Sequence, residues 1–300
     1  MTIHLAERAV IEVAGPEARD YLHSLLTADI ANLEKGKCTW AGLLTPQGKI
    51  LYDMFVWAAR SDEGAEGFLL DVAAATADAL LARMKMYKLR RQVELQARPD
   101  MAVLADATEE DGPYFAYGPD PRWADMGTRA ITLLELAGQF RADAWLYHQR
   151  RIALGLPDSE KDIGSGKLFP HEANFDQLGA VSFTKGCYVG QEVVSRMQHR
   201  GTARNRLIPV ASTQPVQPEM PVMAGGKRIG EITGSVNDSG TRAIALIRLD
   251  RLADAAEAEE TPTAGEAKVL PIQPPWAEYE VPGALAMEDL ATPDLSDEND

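Results

Sequence analysis

The sequence predicts an α+β fold with a small β-barrel near the C-terminal end of the chain. Helical patterns lie beside antiparallel strand hairpins over the first 200 residues, which favours α+β over a parallel, doubly wound sheet. Beyond Gly201, short apolar segments separated by proline or glycine are typical of a small barrel. A chain of 300 residues is also long enough for two or three domains.

The first predicted α+β unit covers residues 1–95. Its helices show apolar residues at helical spacing, and Thr45-Pro46-Gln47-Gly48-Lys49 is a strong turn between two apolar strands. The predicted elements are strand 9–13, helix 18–26, the hairpin 38–44 and 50–58, strand 67–72, helix 76–88 and strand 93–95.

A second α+β unit is predicted over residues 96–205. Its turn-rich and glycine-rich segments are 113–123 and 161–170. The predicted elements are strand 101–105, a strand or short helix over 133–140, and helices 143–152 and 191–201.

The barrel is predicted over residues 206–272. Residues 253–267, rich in alanine and glutamate, are predicted to form an acidic, solvated loop within it. Residues 273–300 are predicted to be a disordered acidic tail, because they are rich in proline and acidic residues. The predicted strands are 207–210, 220–224, 228–233, 243–248 and 268–272.

The net charge of −15 is concentrated at the C-terminal end. Residues 251–300 contain thirteen acidic and two basic residues, a net charge of −11, which leaves −4 for the first 250 residues. The chain therefore lacks the basic footprint of a nucleic-acid-binding protein, and we expect no direct nucleic-acid partner.

Cysteine usage and hydropathy predict a cytoplasmic protein. Cys38 and Cys187 are far apart, and neither has the spacing of a zinc site or a disulfide framework. The N-terminal residues have no apolar signal-peptide core, and no apolar run of about 18 residues suggests a membrane span. We accordingly expect no membrane partner.

The most informative segment is residues 185–192, Lys-Gly-Cys-Tyr-Val-Gly-Gln-Glu. Gly190 suits the N-cap of a helix that begins at Gln191. Cys187 then lies just before a helix N-terminus, where the helix dipole and the charge of Lys185 favour a thiolate. A simpler interpretation also fits these residues: a small buried thiol beside a solvated lysine.

Two further sets of residues have a functional and a structural interpretation. Arg151, Asp162, His171 and Glu172 form one set, in which the Glu172 carboxylate suits the paired N–H donors of a pterin or guanine-like ring. On local residues alone, an ordinary capping or solvated glutamate is the simpler interpretation of Glu172. The basic segment 85–91 suits the anionic tail of a ligand, or simply a solvated helix end.

Segment 185–192 resembles the Lys-Gly-Cys-[Phe/Tyr]-x-Gly-Gln-Glu signature of the YgfZ folate-binding proteins, and the resemblance continues through residues 195–201. Residues 43–50 resemble the N-terminal hairpin of that family. Residues 151–157 and 170–172 resemble its middle segment. The similarity extends over about residues 1–250, and the acidic tail lies outside it.

The YgfZ family is similar to the T-protein of the glycine cleavage system, an aminomethyltransferase that uses tetrahydrofolate. The resemblance implies two ferredoxin-like units and a barrel arranged in a ring around a folate channel. It implies tetrahydrofolate or another reduced folate as cofactor. The implied role is to support the assembly or repair of iron–sulfur clusters, with cluster assembly factors or client proteins as partners and tRNA-modifying enzymes affected downstream.

The same resemblance implies that Lys185 and Cys187 are the functional pair and that Glu172 lies near the pterin. No residue of this chain can be matched to the catalytic aspartate of the T-protein. Aminomethyl or methyl transfer is therefore the alternative function and not the expected one. Two cysteines are too few to hold a [4Fe–4S] cluster stably, and we predict no metal ligands. The further folate-binding residues that we expect are Tyr188, Gly190 and Gln191.

Overall fold

The chain divides into two units. Unit 1 contains residues 1–151 and 158–203, and unit 2 contains residues 152–157 together with the chain from residue 204 onward. The structure, a computed structural model, describes residues 1–60, 66–201 and 203–287. The first predicted α+β unit lies within unit 1, and so does most of the second, except for its residues 152–157 and 204–205, which belong to unit 2.

The described elements alternate between strands and helices along unit 1 and are mainly strands in unit 2. The strands are β1 (Ile3–His4), β2 (Arg8–Ala14), β3 (Cys38–Leu44), β4 (Ile50–Arg60), β5 (Glu66–Ala73), β6 (Glu94–Ala97), β7 (Met101–Ala105), β8 (Ala116–Pro119), β9 (Thr128–Leu133), β10 (Asn205–Ser212), β11 (Pro221–Ala224), β12 (Lys227–Val236), β13 (Arg242–Arg248), β14 (Thr263–Ala264) and β15 (Ala267–Pro271). The helices are α1 (Ala18–Leu25), α2 (Ala77–Lys88), α3 (Leu134–Ala137), α4 (Trp145–Ala153), α5 (Gln191–Arg200) and α6 (Leu249–Glu257).

The larger sheet of unit 1 has five strands in the order β3-β4-β5-β2-β6, and every neighbouring pair is antiparallel. Its apolar residues pack against α1 and α2 in one core. The Tyr21 hydroxyl joins the two helices by donating to the Met84 carbonyl oxygen at 2.6 Å. The predicted hairpin and both predicted helices are confirmed, because local apolar periodicity matches the faces that this core buries.

The second sheet of unit 1 has the order β1-β7-β9-β8, again antiparallel. All five residues of β7 are buried. Its core is built mostly from alanines, among them Ala102 and Ala130, together with Leu104. The segment 113–123, which the sequence predicts only as turns, contributes the edge strand β8.

In unit 2, six strands close into a barrel in the order β10-β13-β12-β11-β14-β15. Residues 152–157 belong to this unit: the Trp276 Nε1 atom donates to the Leu154 carbonyl oxygen at 2.8 Å. Gly155 lies so close to Pro209 that a Cβ atom at residue 155 would be 2.7 Å from the proline ring. The predicted class, α+β with a closed C-terminal barrel, is confirmed.

Two predictions about the C-terminal region are wrong. The predicted loop 253–267 contains the second half of α6 and strand β14, and α6 forms because Leu252 and Ala255 are buried while its acidic residues face outward. The predicted disordered tail is ordered over 273–287, where Trp276 and Val281 are buried. Residues 288–300 lie outside the described residues.

Candidate functional site

The Lys-Gly-Cys segment forms an irregular loop that leads into α5. Gly190 is the N-cap with a φ of 82°, and Gly201 ends the helix with a φ of 57°. Cys187 lies three residues before Gly190 and is exposed to solvent. The predicted helix and the predicted placement of Cys187 ahead of it are therefore confirmed, and the interpretation of Cys187 as a buried thiol is wrong.

Lys185 anchors this loop to the C-terminal end of α1. Its side chain is buried, and its Nζ atom donates to the carbonyl oxygens of Leu26 at 2.7 Å, Ala28 at 2.9 Å and His23. These contacts use all three ammonium hydrogens and place a cation at the negative end of a helix dipole. Burial lowers the pKa of Lys185 to about 8, against the opposing effect of Asp29. Its pairing with the Cys187 thiolate stays a prediction.

Tyr188 and Gln191 close the loop on itself. The Tyr188 backbone N–H donates to the Gln191 side-chain oxygen at 3.3 Å, and the Gln191 N–H donates back to the Tyr188 carbonyl oxygen. The buried Tyr188 ring lies 5.1 Å from the Lys185 ammonium, and burial raises the pKa of Tyr188 to about 12. These contacts fix the backbone on the C-terminal side of the exposed thiol. The predicted contacts of both residues with folate stay predictions.

Gly190 packs directly on the hairpin turn between β3 and β4. A Cβ atom at residue 190 would lie 2.5 Å from the Thr45 carbonyl oxygen, and one at Gly48 would lie 2.9 Å from Val193. Both glycines have φ values of 82°, a conformation that other residues adopt only under strain. The hairpin turn 45–49 and the segment 185–192, both of which carry the family resemblance, are thereby in contact.

Glu172 lies in the turn-rich segment that precedes the loop. Its Oε2 atom accepts the Phe169 backbone N–H at 2.9 Å, as a capping glutamate does. The neighbouring His171 is buried, and its Nε2 atom lies 3.0 Å from the Gln198 side-chain oxygen of α5. Segment 168–172 is thus tied to α5. The predicted role of Glu172 beside a pterin stays a prediction.

A charged cleft, which we call the arginine cleft, opens elsewhere in unit 1. It has a volume of about 250 Å³ and lies among β2, β4, α4 and the turn that begins at Asp158. A second cleft of about 220 Å³ shares Asp53, Ala73, Ser159 and Glu160 with it and continues to Ser165. The polar residues that line the arginine cleft are Glu7, Arg8, Asp53, Arg122, Tyr147, His148, Arg151, Asp158, Ser159, Glu160 and Lys161.

A buried ionic network forms the floor of the arginine cleft. Asp71 accepts from Arg8 at 2.6 Å and also from Arg129, while Asp120 accepts from Arg122 at 2.8 Å. The Asp120 carboxyl is fully buried, which opposes ionisation, yet the adjacent Arg122 and Arg129 guanidinium groups hold its pKa below the usual range. These ion pairs keep the cleft-lining Arg8 and Arg122 in place.

The walls of the cleft present carboxylates as well as cations. Asp53 is buried in β4, and its Oδ2 atom accepts the Trp40 indole N–H at 2.9 Å. Arg151 pairs with the buried Asp162 at 3.1 Å, which unites two residues that the sequence placed in one set. Asp158 is half-buried, and its desolvation by itself would raise its pKa, but the charge of Arg151 and two backbone N–H groups lower that pKa to about 2. The cleft suits a ligand that carries both N–H donors and negative charge.

None of the six predicted site residues is among the described residues that line these two clefts. Asp53 was not among the predicted residues, although a signal was present: Asp53 is the one acidic residue in the otherwise apolar strand segment 50–58. Within the described ranges, no cluster of three or more His, Cys, Asp or Glu side chains is arranged to hold a metal ion. No described helix has the length and apolar character needed to cross a membrane.

One segment of each unit matches a known family. Residues 4–106 match the GCVT N-terminal domain, and residues 204–279 match the CAF17 C-terminal β-barrel domain. The crystal structure of glycine cleavage system aminomethyltransferase T from Bartonella henselae superposes with a TM-score of 0.70 and covers 93% of this chain and 87% of that chain. Their sequence identity is 17%, so the likeness is one of fold.

Several curated relatives share the name iron–sulfur cluster assembly factor IBA57, mitochondrial, or its homologue. The human protein is 30% identical over 263 residues, which cover 78% of this chain and 74% of the relative. The Pyricularia oryzae protein is 32% identical and covers 83% of this chain and 72% of its own. The mouse protein is 34% identical and covers 70% and 65%, respectively.

These relatives correct one prediction and sharpen another. The predicted cytoplasmic location is wrong, because the relatives are named as mitochondrial proteins. The spacing of the two cysteines, on which that prediction rested, does not separate one reducing compartment from another. The resemblance to YgfZ proteins is confirmed in its fold, while the relatives carry another name. The chain belongs to the family of the IBA57 iron–sulfur cluster assembly factors.

Proposed function

We propose that this protein supports iron–sulfur cluster assembly and binds a reduced folate in the arginine cleft. The relatives' name gives the assembly role. The observation that carries the folate proposal is that the arginine cleft overlaps the segment matched by a folate-enzyme domain. The match to the GCVT N-terminal domain, residues 4–106, includes the cleft residues Glu7, Arg8, Asp53, Phe55 and Ala73.

The residues of the cleft fit both ends of a folate. A pterin ring presents adjacent N–H donors, which a carboxylate binds in charge-assisted hydrogen bonds, and Asp53 offers a buried carboxylate. The glutamate tail of folate is anionic, and Arg8, Arg151 and Lys161 line the same cleft. Two clefts that share Asp53 give an elongated space, which matches the elongated shape of the cofactor.

Calorimetry with tetrahydrofolate tests this placement and separates two candidate pterin ligands. If Asp53 binds the pterin, Asp53→Asn weakens binding about tenfold or more, the loss expected for one charge-assisted hydrogen bond. The variant Glu172→Gln tests the residue that the resemblance to YgfZ implies. The control is Glu266→Gln, an exposed acid in the barrel. Wild-type affinity of Asp53→Asn would contradict binding in the arginine cleft.

We propose that Cys187 is the contact between this protein and the cluster or its carrier. The thiol is exposed on a loop that Lys185 and Gly190 hold in place. Since only two cysteines exist in the chain, the cluster is a transient substrate at this thiol, completed by ligands from a partner. Cluster-dependent enzymes, including those that modify tRNA, would then depend on Cys187.

A deletion strain complemented with single-cysteine variants tests the role of the thiol. We expect Cys187→Ser to fail to restore cluster-dependent enzyme activities while Cys38→Ser restores them. Soluble expression of both variants is checked by immunoblot, so that loss of protein is not mistaken for loss of function. Full rescue by Cys187→Ser would overturn the proposed contact.

A further inference from the structure

We propose that the C-terminal end of helix α2 docks on an anionic lipid surface. We call residues 83–91 the α2 tip. The tip contains five cations, Arg83, Lys85, Lys88, Arg90 and Arg91, and no acidic residue occurs between residues 79 and 93. In a chain with a net charge of −15, such a cluster is a local exception that the folate and cluster sites do not use.

The α2 tip also exposes two large apolar side chains. Leu89 is 86% exposed and Met86 is 75% exposed, whereas Leu80, Leu81 and Met84 of the same helix are buried in the core. The buried residues fix the helix on the sheet, so the exposed pair is not part of the packing. Cations around protruding apolar side chains are typical of segments that bind membrane interfaces.

The backbone at Leu89 supports a role for its side chain. Leu89 has a φ of 50° and a ψ of −114°, a positive-φ conformation outside the left-handed helical region that is strained for a bulky residue. Glycine is the residue that suits such a helix end, and the leucine side chain gains almost no burial there. Folding alone therefore does not explain a leucine at this position.

The cations of the α2 tip are available for a partner. Among the residues that the structure describes, Arg83, Lys85, Lys88 and Arg90 form no ion pair with a carboxylate. Arg91 lies over the Tyr21 ring at 5.9 Å. The acidic side chain that contacts this region is Glu17, whose carboxylate accepts the Gln92 N–H. Screening over about 8 Å at physiological ionic strength limits the repulsion from more distant acidic residues.

The combination of side chains favours lipid over an acidic protein as the partner. Anchors in protein interfaces are mainly tryptophan, tyrosine and arginine in fitted pockets. Here the apolar residues are leucine and methionine on a convex helix end, and anionic headgroups complement the surrounding charge. Such docking is peripheral and requires no membrane-spanning helix. It departs from the expectation, stated from the sequence, that the protein has no membrane partner.

Vesicle flotation with the full chain tests the proposal. We expect wild type to float with vesicles of equimolar phosphatidylglycerol and phosphatidylcholine and not with pure phosphatidylcholine, and high salt should release it. The double variant Lys85→Gln, Lys88→Gln should weaken binding by about fivefold for each charge removed. The matched control is Lys35→Gln, Lys37→Gln, two exposed lysines elsewhere in unit 1, with unchanged binding expected.

The variant Leu89→Gly separates docking from folding. It removes the apolar side chain and relieves the strained φ, so we expect vesicle binding to fall about tenfold while the melting temperature does not fall. Equal binding of wild type to neutral and anionic vesicles would overturn the proposal, as would unchanged binding of the two α2-tip variants. Retention on a polyglutamate peptide without vesicle binding, or self-association through Leu89 in sedimentation, would instead assign the α2 tip to a protein partner.

Discussion

Gly48 and Gly190 face each other in left-handed conformations, each with a φ of 82°, and the Gly190 carbonyl oxygen lies 3.1 Å from the position of a Cβ atom at Gly48. This contact joins the hairpin turn of β3 and β4 to the loop that carries Cys187. The position of the exposed thiol therefore depends on a glycine about 140 residues earlier in the chain.

We predict that Gly190→Ala destabilises the protein by about 2 kcal/mol or more. The added Cβ would lie 2.5 Å from the Thr45 carbonyl oxygen, and alanine is strained at this φ. The free energy of unfolding is measured with urea. Gly186→Ala is the matched control, because a Cβ there meets nothing within 4 Å, and its effect should stay below about 0.5 kcal/mol. Equal changes in the free energy of unfolding for the two variants would show that the close packing at Gly190 does not contribute to stability.

Replacing Lys185 by methionine should lower the free energy of unfolding by about 2–4 kcal/mol. The carbonyl oxygens of His23, Leu26 and Ala28 would lose a buried donor, and unsatisfied buried acceptors are costly. Urea denaturation of this variant beside Lys35→Met, at an exposed lysine, gives the comparison. A difference within about 0.5 kcal/mol between the two variants would contradict the anchoring role.

A comparison of wild type with Lys185→Met also yields a pH prediction with a defined sign. The pKa of Lys185 is lowered to about 8 in the folded protein, while the unfolded chain has the ordinary value near 10.4. Between these values the unfolded chain binds more protons, so this group makes the protein more stable as pH rises. The stability advantage of wild type over Lys185→Met should therefore grow from about pH 8 to about pH 10.4. A constant or shrinking difference contradicts the lowered pKa.

Asp158 should stabilise the protein above about pH 4 and lose that effect in acid. Its pKa is lowered to about 2, and its carboxylate accepts the backbone N–H groups of Glu160 and Lys161 at 3.0 Å each. Asp158→Asn should cost about 2 kcal/mol at neutral pH, and the cost should shrink as pH falls below about 4. Urea denaturation across this range measures it. A cost that does not change with pH would assign the effect to hydrogen bonding alone.

The two cysteines should differ strongly in alkylation rate. Cys187 is exposed, whereas Cys38 is only partly exposed, and burial raises the pKa of its thiol well above the ordinary value. Because the thiolate is the reactive form, iodoacetamide should label Cys187 first and Cys38 mainly after denaturation. Mass spectrometry of the timed reaction, with Cys187→Ser as the reference for Cys38, gives both rates. Comparable rates in the native protein would contradict the described environments.

Local patterns predicted the elements whose faces are buried in a regular way. The helix α1, the hairpin of β3 and β4 and the helix α5 follow from apolar spacing and glycine caps in the sequence itself. The same patterns predicted the α+β class and the small barrel, whereas the ring of two ferredoxin-like units was implied by the family resemblance alone.

The arginine cleft was beyond sequence reasoning because its partners are far apart in the chain. Asp71 meets Arg129 across 58 residues, and Arg8 meets Asp71 across 63, so no local period places these residues together. Helix α6 was mistaken for a loop for a related reason. Its acidic residues dominate the composition, while burial of just Leu252 and Ala255 stabilises it.

Residues 152–157 belong to unit 2, and this affects which fragments of the protein can fold and when the barrel can form during translation. A fragment that begins at residue 204 would lack the Leu154 carbonyl that binds Trp276 and the glycine that packs on Pro209. The barrel is therefore not a module that a single cut can release. During translation its first segment emerges about fifty residues before the rest, so the barrel is completed only after the Lys-Gly-Cys loop has left the ribosome.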